Sequence, residues 1–237
     1  MKTDSKNRVY PHYFPFRKFF QPLVKICADL FFPEYCLGCG KSGSSLCFVC
    51  LQSAKEYFED KNVFAVFSYR NPAVKNTIRA MKFHGNRNAA KNFAPHLYDA
   101  ALEKLSEEIM YSEISKKEKI WLVPIPLSKR RLKNRQYNQS AEIAKCMFEI
   151  DGGAWFEFHP EALQKIRETP PQTLTKNRKE REKNLRGAFQ AKQNTNLSEA
   201  VILLIDDVTT TGTTFGEAER TLRKAGAKKV LSLAAAH

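Results

Sequence analysis

The chain has 237 residues, is 43% hydrophobic and 27% charged, and carries a formal net charge of +14 at neutral pH. That length suits one sizeable α/β domain with a small appendage, and no apolar run is long enough to cross a bilayer. The excess of Lys and Arg favours polyanionic partners: a phosphorylated small molecule, nucleic acid or an anionic surface.

Residues 1–18 read as a tail without ordered structure, and their polar, then aromatic and basic character lacks the pattern of a signal peptide. A cytoplasmic protein is expected. Segment 19–32 is apolar but broken by Gln21, Pro22, Lys25 and Asp29, which suits a short amphipathic element better than a membrane anchor. Next comes a C-x₂-C-x₇-C-x₂-C array made of Cys36, Cys39, Cys47 and Cys50. Each C-x₂-C turn can offer two thiolates to one metal, so the two together supply a tetrahedral Cys₄ shell for Zn²⁺. Such a shell leaves no open position, which makes the role structural. Two disulfides are the competing reading, disfavoured in a reducing cytosol. Cys27 and Cys146 stand alone in apolar surroundings and read as core residues. The expected division is a zinc-knuckle module over 19–58 and a main domain over 59–237.

In the main domain the pattern alternates. Residues 63–69 read as a strand, 73–83 and 89–110 as helices, 121–125 as a strand, 137–148 as a helix and 155–158 as a short strand. Residues 165–186 form a polar, basic stretch containing Pro170-Pro171, and a loop this long inside a compact domain is usually functional. Val201-Ile202-Leu203-Leu204-Ile205 shows no alternation, as expected of a strand buried on both faces of a parallel sheet. From Thr214, the residues Phe215, Ala218, Leu222 and Ala225 fall at helical spacing, with Gly226 as a stop. A strand over 230–235 completes a β-α-β unit. The fold class expected is α/β, a parallel sheet flanked by helices.

The chemistry concentrates where the 201–205 strand ends. Asp206 and Asp207 are followed by Thr209, Thr210, Thr211, Gly212, Thr213 and Thr214, and then by a helix. The N–H groups of a helix start carry partial positive charge and seat phosphate. Gly212 lets the backbone approach or adopt positive φ, and threonine hydroxyls add donors. Ionised carboxylates repel phosphate but accept hydrogen bonds from ribose hydroxyls, and they help hold a divalent metal through water. A sugar phosphate lying across this loop satisfies all of these groups. A Thr-capped helix after two solvated aspartates is the plainer reading, and the complete order of strand, acid pair, Thr-Gly-Thr and helix weighs against it. Neither G-x-x-x-x-G-K-[ST] nor a strand-linked G-x-G-x-x-G occurs.

This segment resembles the ribose-phosphate signature of type I phosphoribosyltransferases, which bind phosphoribosyl pyrophosphate (PRPP) with Mg²⁺. The resemblance implies that Asp206 and Asp207 contact the ribose hydroxyls, that Thr210, Thr211, Gly212, Thr213 and Thr214 wrap the 5′-phosphate, and that Thr209 leads in. Several nucleobase-salvage members carry an acid where Thr210 stands here, so ordinary purine salvage is not implied. Joined to a Cys₄ knuckle, the pattern is similar to the competence protein F (ComF) family over roughly residues 30–237. The segment Ile78-Arg79-Ala80-Met81-Lys82-Phe83-His84-Gly85 resembles that family's "LKfhG" region. Residues Trp121 to Leu127, followed by Arg130, Arg131, Arg135 and Asn138-Gln139, resemble "VPVPL…R…RGFNQ", with Gln136 in place of the usual glycine. Gln172, Glu180-Arg181, Asn184-Leu185 and Ala188-Phe189 match "Q…eR..Nl…aF". The likeness implies transfer of phosphoribosyl from PRPP to an acceptor with release of pyrophosphate, a flexible flap over 165–186, and a role in DNA uptake. It leaves the acceptor and the oligomeric state open.

Two basic clusters bear on partners. Lys129, Arg130, Arg131, Lys133 and Arg135 follow the 121–125 strand, where they can meet pyrophosphate or nucleic acid. Lys176, Arg178, Lys179, Arg181, Lys183 and Arg186 lie in the 165–186 stretch, diluted by Glu180 and Glu182. A second reading of the chain is therefore a non-catalytic, PRPP-responsive module that binds single-stranded DNA alongside DNA-uptake proteins. His84 sits in a loop-like Phe-His-Gly-Asn stretch where it could donate to a ligand, a packed or solvent-facing histidine being the plainer reading, and His237 reads as incidental.

Overall fold

The computed structural model describes residues 33–111, 114, 119–169, 178–193 and 195–237. The 1–18 tail, the 19–32 segment with Cys27, and residues 170–177 of the expected flap lie outside these. Residues Tyr35–His237 belong to one compact unit.

The order of elements is α1 (Phe48–Gln52), β1 (Lys55–Asp60), β2 (Val63–Phe67), α2 (Pro72–Phe83), α3 (Ala90–Met110), β3 (Ile120–Pro124), α4 (Lys129–Arg135), α5 (Gln139–Asp151), β4 (Phe156–Phe158), β5 (Leu163–Lys165), α6 (Arg178–Leu185), β6 (Phe189–Ala191), β7 (Val201–Val208), α7 (Thr213–Lys224) and β8 (Lys229–Ala236). Helix starts carry local signals. Pro72 occupies the first turn of α2, where Asn71 accepts the N–H of Ala73 at 2.9 Å. Asn138 does the same for Ser140 at 3.1 Å at the start of α5.

Six strands form one sheet in the order β1-β2-β8-β7-β3-β4, and β5 pairs with β6 in a separate antiparallel ribbon. The five strands from β2 to β4 are parallel, whereas β1 runs antiparallel to β2. The expected parallel sheet is thus present, with one antiparallel strand added at its edge. Lys61 and Asn62 join β1 and β2, and so tight a connection requires antiparallel pairing. The edge strand, Lys-Glu-Tyr-Phe-Glu-Asp, has four charged residues of six and is mostly exposed, so it carries no burial pattern to announce it.

The sheet lies between two apolar layers. On one side Val201, Leu203 and Ile205 of β7 join Ile120 and Leu122 of β3 in packing with Ile78, Phe93, Leu97 and Ile143 from α2, α3 and α5. On the other, Ile202 and Leu204 join Val123 in packing with Phe215, Ala218 and Leu222 of α7, and with Leu163, Leu185 and Phe189. Both faces of β7 are therefore buried, which is why its sequence is continuously apolar. Each such side chain contributes about 1.5–3 kcal/mol.

Part of the expected 165–186 loop is instead helix α6. Its last residue, Leu185, is buried in the second layer, and the next turn is fastened to α7 by Gly187 N–H donating to Glu217 Oε1 at 2.6 Å. Tertiary anchoring stabilises a segment whose charge density hides its helical character.

The route of the chain fixes where a ligand fits. From β3 it moves outward to β4, then returns through β5, α6 and β6 to enter β7 on the other side of β3. The direction reverses between β3 and β7, whose ends lie side by side with Pro124 opposite Ile205. Such a switch point leaves a crevice beyond the carboxyl ends of the strands.

Candidate functional site

The two loops that flank this crevice carry the residues singled out above. Asp206 and Asp207 sit at the end of β7. Gly212, at φ 67°, is the left-handed residue from which α7 starts. A Cβ there would meet only Val63 Cγ2, at 3.8 Å, so the demand for glycine is conformational rather than steric. Thr209 is buried and its N–H donates to Ala236 O at 2.9 Å, tying the loop to β8. The hydroxyls of Thr211 and Thr213 lie 2.5 Å apart, at the first turn of α7.

The two acids have different partners. Asp207 is buried and paired with Lys82 of α2, Nζ to Oδ1 2.9 Å. Asp206 Oδ1 accepts Ser140 Oγ–H at 2.8 Å and the N–H of Asp207 at 2.8 Å. Burial, and then the Asp207 carboxylate beside it, push Asp206 up from 3.8 to about 7. Two adjacent carboxylates at a strand end repel each other, and a ligand that donates hydroxyl hydrogens relieves that repulsion.

Lys82 is held from behind. Tyr137 OH and Gln139 Nε2 both donate to Met81 O, the latter at 3.2 Å. Lys82 also lines a groove of about 780 Å³ with His84, Arg130, Arg131 and Arg135. Arg135 lies over the exposed ring of Phe83, 5.7 Å from its centroid. Lys129 and Lys133 are exposed on α4 and stand outside the residues lining the groove. Gln136, in place of the family's glycine, adopts φ 65° as the left-handed end of α4, so the turn forms without glycine. A second groove, of about 490 Å³, is lined by Thr211, Gly212 and Thr213 together with Lys61, Arg186 and Arg220. The acid pair is thus tied to a basic groove through Lys82, and the Thr loop borders a second groove of mixed charge, where Asp60, Glu182, Glu217 and Glu219 face Lys61, Arg186 and Arg220.

Three residues near the acids and the loop were assigned no role from sequence. Lys82 and Ser140 lie inside or beside the quoted motifs, yet nothing local marks them as partners of Asp207 and Asp206. His237 stacks on Phe58 with centroids 3.6 Å apart, and its Nε2 lies 3.0 Å from Thr210 O. Its N–H donates to Phe67 O at 3.0 Å and its carbonyl accepts the N–H of Tyr69 at 2.8 Å. His237 is therefore built into the floor of the Thr loop rather than incidental. Thr210 is also held from α6, where Arg181 Nη1 donates to its hydroxyl at 3.0 Å.

The four cysteines converge. Their sulfurs all lie within 4.8 Å of one another, and Cys39 Sγ and Cys47 Sγ are 3.6 Å apart. A zinc tetrahedron with Zn–S near 2.3 Å has S···S edges of about 3.8 Å, whereas a disulfide needs about 2.05 Å. All four thiols are free. Burial opposes ionisation of Cys36, but N–H groups of Cys47, Cys39 and Gly38 outweigh it and bring the thiol down to about 6. Burial, and then the neighbouring sulfurs, push Cys50 up to about 12. Four thiolates cannot ionise together without a cation between them, so the donor set fits Zn²⁺. Gly38 makes the packing possible: a Cβ there would lie 2.5 Å from Ala73 Cβ and 2.9 Å from Cys50 Sγ. Cys146 is half-buried, away from this cluster.

No family model matches the chain. It is 32% identical over 166 residues to competence protein ComFC of Streptococcus pneumoniae (strain ATCC BAA-255 / R6), covering 70% of this chain and 64% of that protein. It is 27% identical over 162 residues to competence protein ComFC of Bacillus subtilis (strain 168), covering 68% and 58%. The chain thus spans less than two thirds of the length of these curated relatives. Among solved structures it is similar to a glutamic acid mutant at an invariant aspartic acid of HPRTs, with TM-score 0.36 and 7% identity, covering 61% of this chain and 67% of that one. A hypoxanthine phosphoribosyl transferase of Trypanosoma cruzi gives TM-score 0.35 and 5% identity, covering 61% and 64%.

Proposed function

We propose that the chain, which is similar to two ComFC proteins over the segment it shares with them, is a competence-related phosphoribosyltransferase-like protein that binds PRPP. The observation that carries this reading is the Asp206-Asp207 pair and the Thr209–Thr214 loop at the carboxyl end of β7, beside the switch point with β3. Asp206 and Asp207 accept the ribose hydroxyls. Thr210, Thr211, Gly212, Thr213 and Thr214 hold the 5′-phosphate at the start of α7. Lys82, Arg130, Arg131 and Arg135 face the pyrophosphate, with Lys129 and Lys133 adding field from the far side of α4. Mg²⁺ bound with PRPP supplies further charge neutralisation on the leaving group.

The reaction is displacement at carbon 1. The bond to the pyrophosphate oxygen breaks with its electron pair leaving on pyrophosphate, and the acceptor's lone pair forms the new bond. Charge builds up on the ribose as the old bond lengthens, so the residues' work is positioning and electrostatic stabilisation. The Cys₄ knuckle, holding Zn²⁺, is structural. The protein acts in the cytoplasm with an acceptor and DNA-uptake proteins as partners.

Calorimetric titration of PRPP and Mg²⁺ into wild type and an Asp206→Asn/Asp207→Asn variant tests this. Charge-assisted hydrogen bonds contribute about 1.5–3 kcal/mol each, so the double variant binds roughly 10²- to 10⁴-fold more weakly. Equal affinity in the two proteins rules out the ribose site as placed.

A second reading, a module for single-stranded DNA, is favoured by exposed Phe83 standing beside Arg135, Arg130 and Arg131 in the 780 Å³ groove. An aromatic face among cations suits a base and its phosphates. Binding that weakens steeply with salt and is lost in an Arg130→Ala/Arg131→Ala variant supports it; absence of binding at low salt removes it.

A further inference from the structure

The β5–β6 ribbon brings a cation to the crevice that neither the loop nor the groove uses. Lys165, the last residue of β5, packs its ammonium 5.5 Å from the centroid of Phe189 and donates to Thr169 Oγ1 at 3.0 Å. Arg131, arriving from α4, donates from Nη2 to the carbonyl of the same residue at 3.4 Å. Two cations from different elements therefore meet at Thr169, which is itself buried.

No carboxylate pairs with Lys165 among the described residues. Glu168, next to Thr169, accepts the Arg130 N–H at 3.2 Å with the guanidinium Nε 3.8 Å away, and its charge reaches Lys165 and Arg131 only through space. Asp206 lies within electrostatic reach, but its Oδ1 is bonded to Ser140 and to the Asp207 N–H. Burial, followed by the Arg131 charge, brings Lys165 down to about 8. Burial and then Arg135 likewise lower Arg131. A half-buried ammonium placed against a guanidinium costs free energy that a packed methionine would not. An incoming anion removes that cost.

We propose that Lys165 and Arg131 form a seat for an anionic group, a phosphate or carboxylate, carried by the acceptor molecule. The proposal rests on the PRPP reading above and names the class of acceptor. The seat is assigned to the acceptor rather than to pyrophosphate for a geometric reason. Lys82, Arg130, Arg131 and Arg135 already line the groove next to the acid pair, while Lys165 stands outside its lining on a separate ribbon. Arg131 belongs to both, so a molecule seated on Lys165 abuts the leaving group. The displacing atom itself approaches carbon 1 from the face opposite the departing oxygen, so the seat holds the acceptor's anionic group and not its reacting atom.

Inorganic phosphate is the probe. It is titrated by calorimetry into the full chain pre-saturated with PRPP and Mg²⁺, in wild type, Lys165→Met and Lys165→Arg. Phosphate binds the wild-type complex, binds the Met variant at least tenfold more weakly and recovers in the Arg variant, while PRPP affinity stays within twofold across all three. Phosphate binding that is absent from wild type, or equal in wild type and Lys165→Met, overturns the seat. A drop in PRPP affinity in Lys165→Met overturns its assignment to the acceptor, because the cation then serves pyrophosphate. If wild type binds no PRPP, the PRPP reading has failed instead. The same phosphate comparison on the ligand-free proteins then decides whether the seat exists.

Discussion

Replacing Asp206 by asparagine stabilises the ligand-free protein at pH 8 while weakening its hold on PRPP. The amide oxygen of the new side chain still accepts Ser140 Oγ–H and the Asp207 N–H, the two bonds that Asp206 makes at 2.8 Å each, so the local geometry persists. What disappears is a carboxylate that burial and the Asp207 charge hold at about 7 instead of 3.8. Folding therefore favours the protonated form. The penalty is absent below pH 4, grows between pH 4 and 7, and is complete above 7. A displacement of that size amounts to ~4 kcal/mol undiluted. The attraction to Lys82 is already contained in that displacement, and partial exposure of the side chain reduces it to ~2 kcal/mol. At roughly 2–4 °C per kcal/mol for a chain of this size, the melting temperature rises by about 4–8 °C at pH 8. Thermal unfolding at pH 4 and pH 8 measures it, and the gain shrinks to within about 1 °C at the lower pH. A variant no more stable than wild type at pH 8, or one with the same gain at pH 4, refutes the argument. It would mean that the acid pair is not frustrated in the empty site.

Gln136→Gly gains stability through the backbone alone. At φ 65° a non-glycine residue carries about 1–2 kcal/mol of strain, against about 0.5–1 kcal/mol for glycine's extra unfolded entropy. The Gln136 N–H bond to Leu132 O, 2.7 Å, is unaffected. A net gain of ~0.5–1 kcal/mol is expected from urea midpoints, with none for Gln136→Ala; equal midpoints for Gly and Ala would show that the turn is not strained. Elemental analysis of purified protein should give one zinc per chain. Stripping it with a strong chelator under reducing conditions exposes Cys36, Cys39, Cys47 and Cys50 to thiol reagents and lowers the melting temperature, since Gly38 packs the knuckle directly on Ala73 of α2. A folded, metal-free protein whose four thiols stay protected contradicts this.

Much of the parallel core was legible from sequence because its signals are local. Continuous burial leaves an uninterrupted apolar run in β7, and helical spacing marks α2, α3, α5 and α7. The acid pair and Thr loop were legible for a related reason: a strand end, a left-handed glycine and a helix start must follow one another along the chain. Edge strand β1 was not legible, since four of its six residues face water and its sequence carries no consistent alternation. Helix α6 was hidden by charge, and only the burial of Leu185 and the tether from Gly187 to Glu217 account for it.

The order of residues along the chain supplies a kit of chemical parts: four thiols at metal-binding spacing, two carboxylates, a hydroxyl-rich loop and a run of arginines. How those parts are paired is a property of the folded domain. Lys82 reaches Asp207 from a helix far back in the chain, Ser140 reaches Asp206 across 66 positions, and His237 closes on Thr210 from the end of the neighbouring strand. Lys165 and Arg131 meet at Thr169 only because the chain doubles back at the switch point. Contacts between residues so far apart leave no periodicity in either segment. They arise from the order in which strands enter the sheet, which is set by burial summed over the whole domain and not by any one motif.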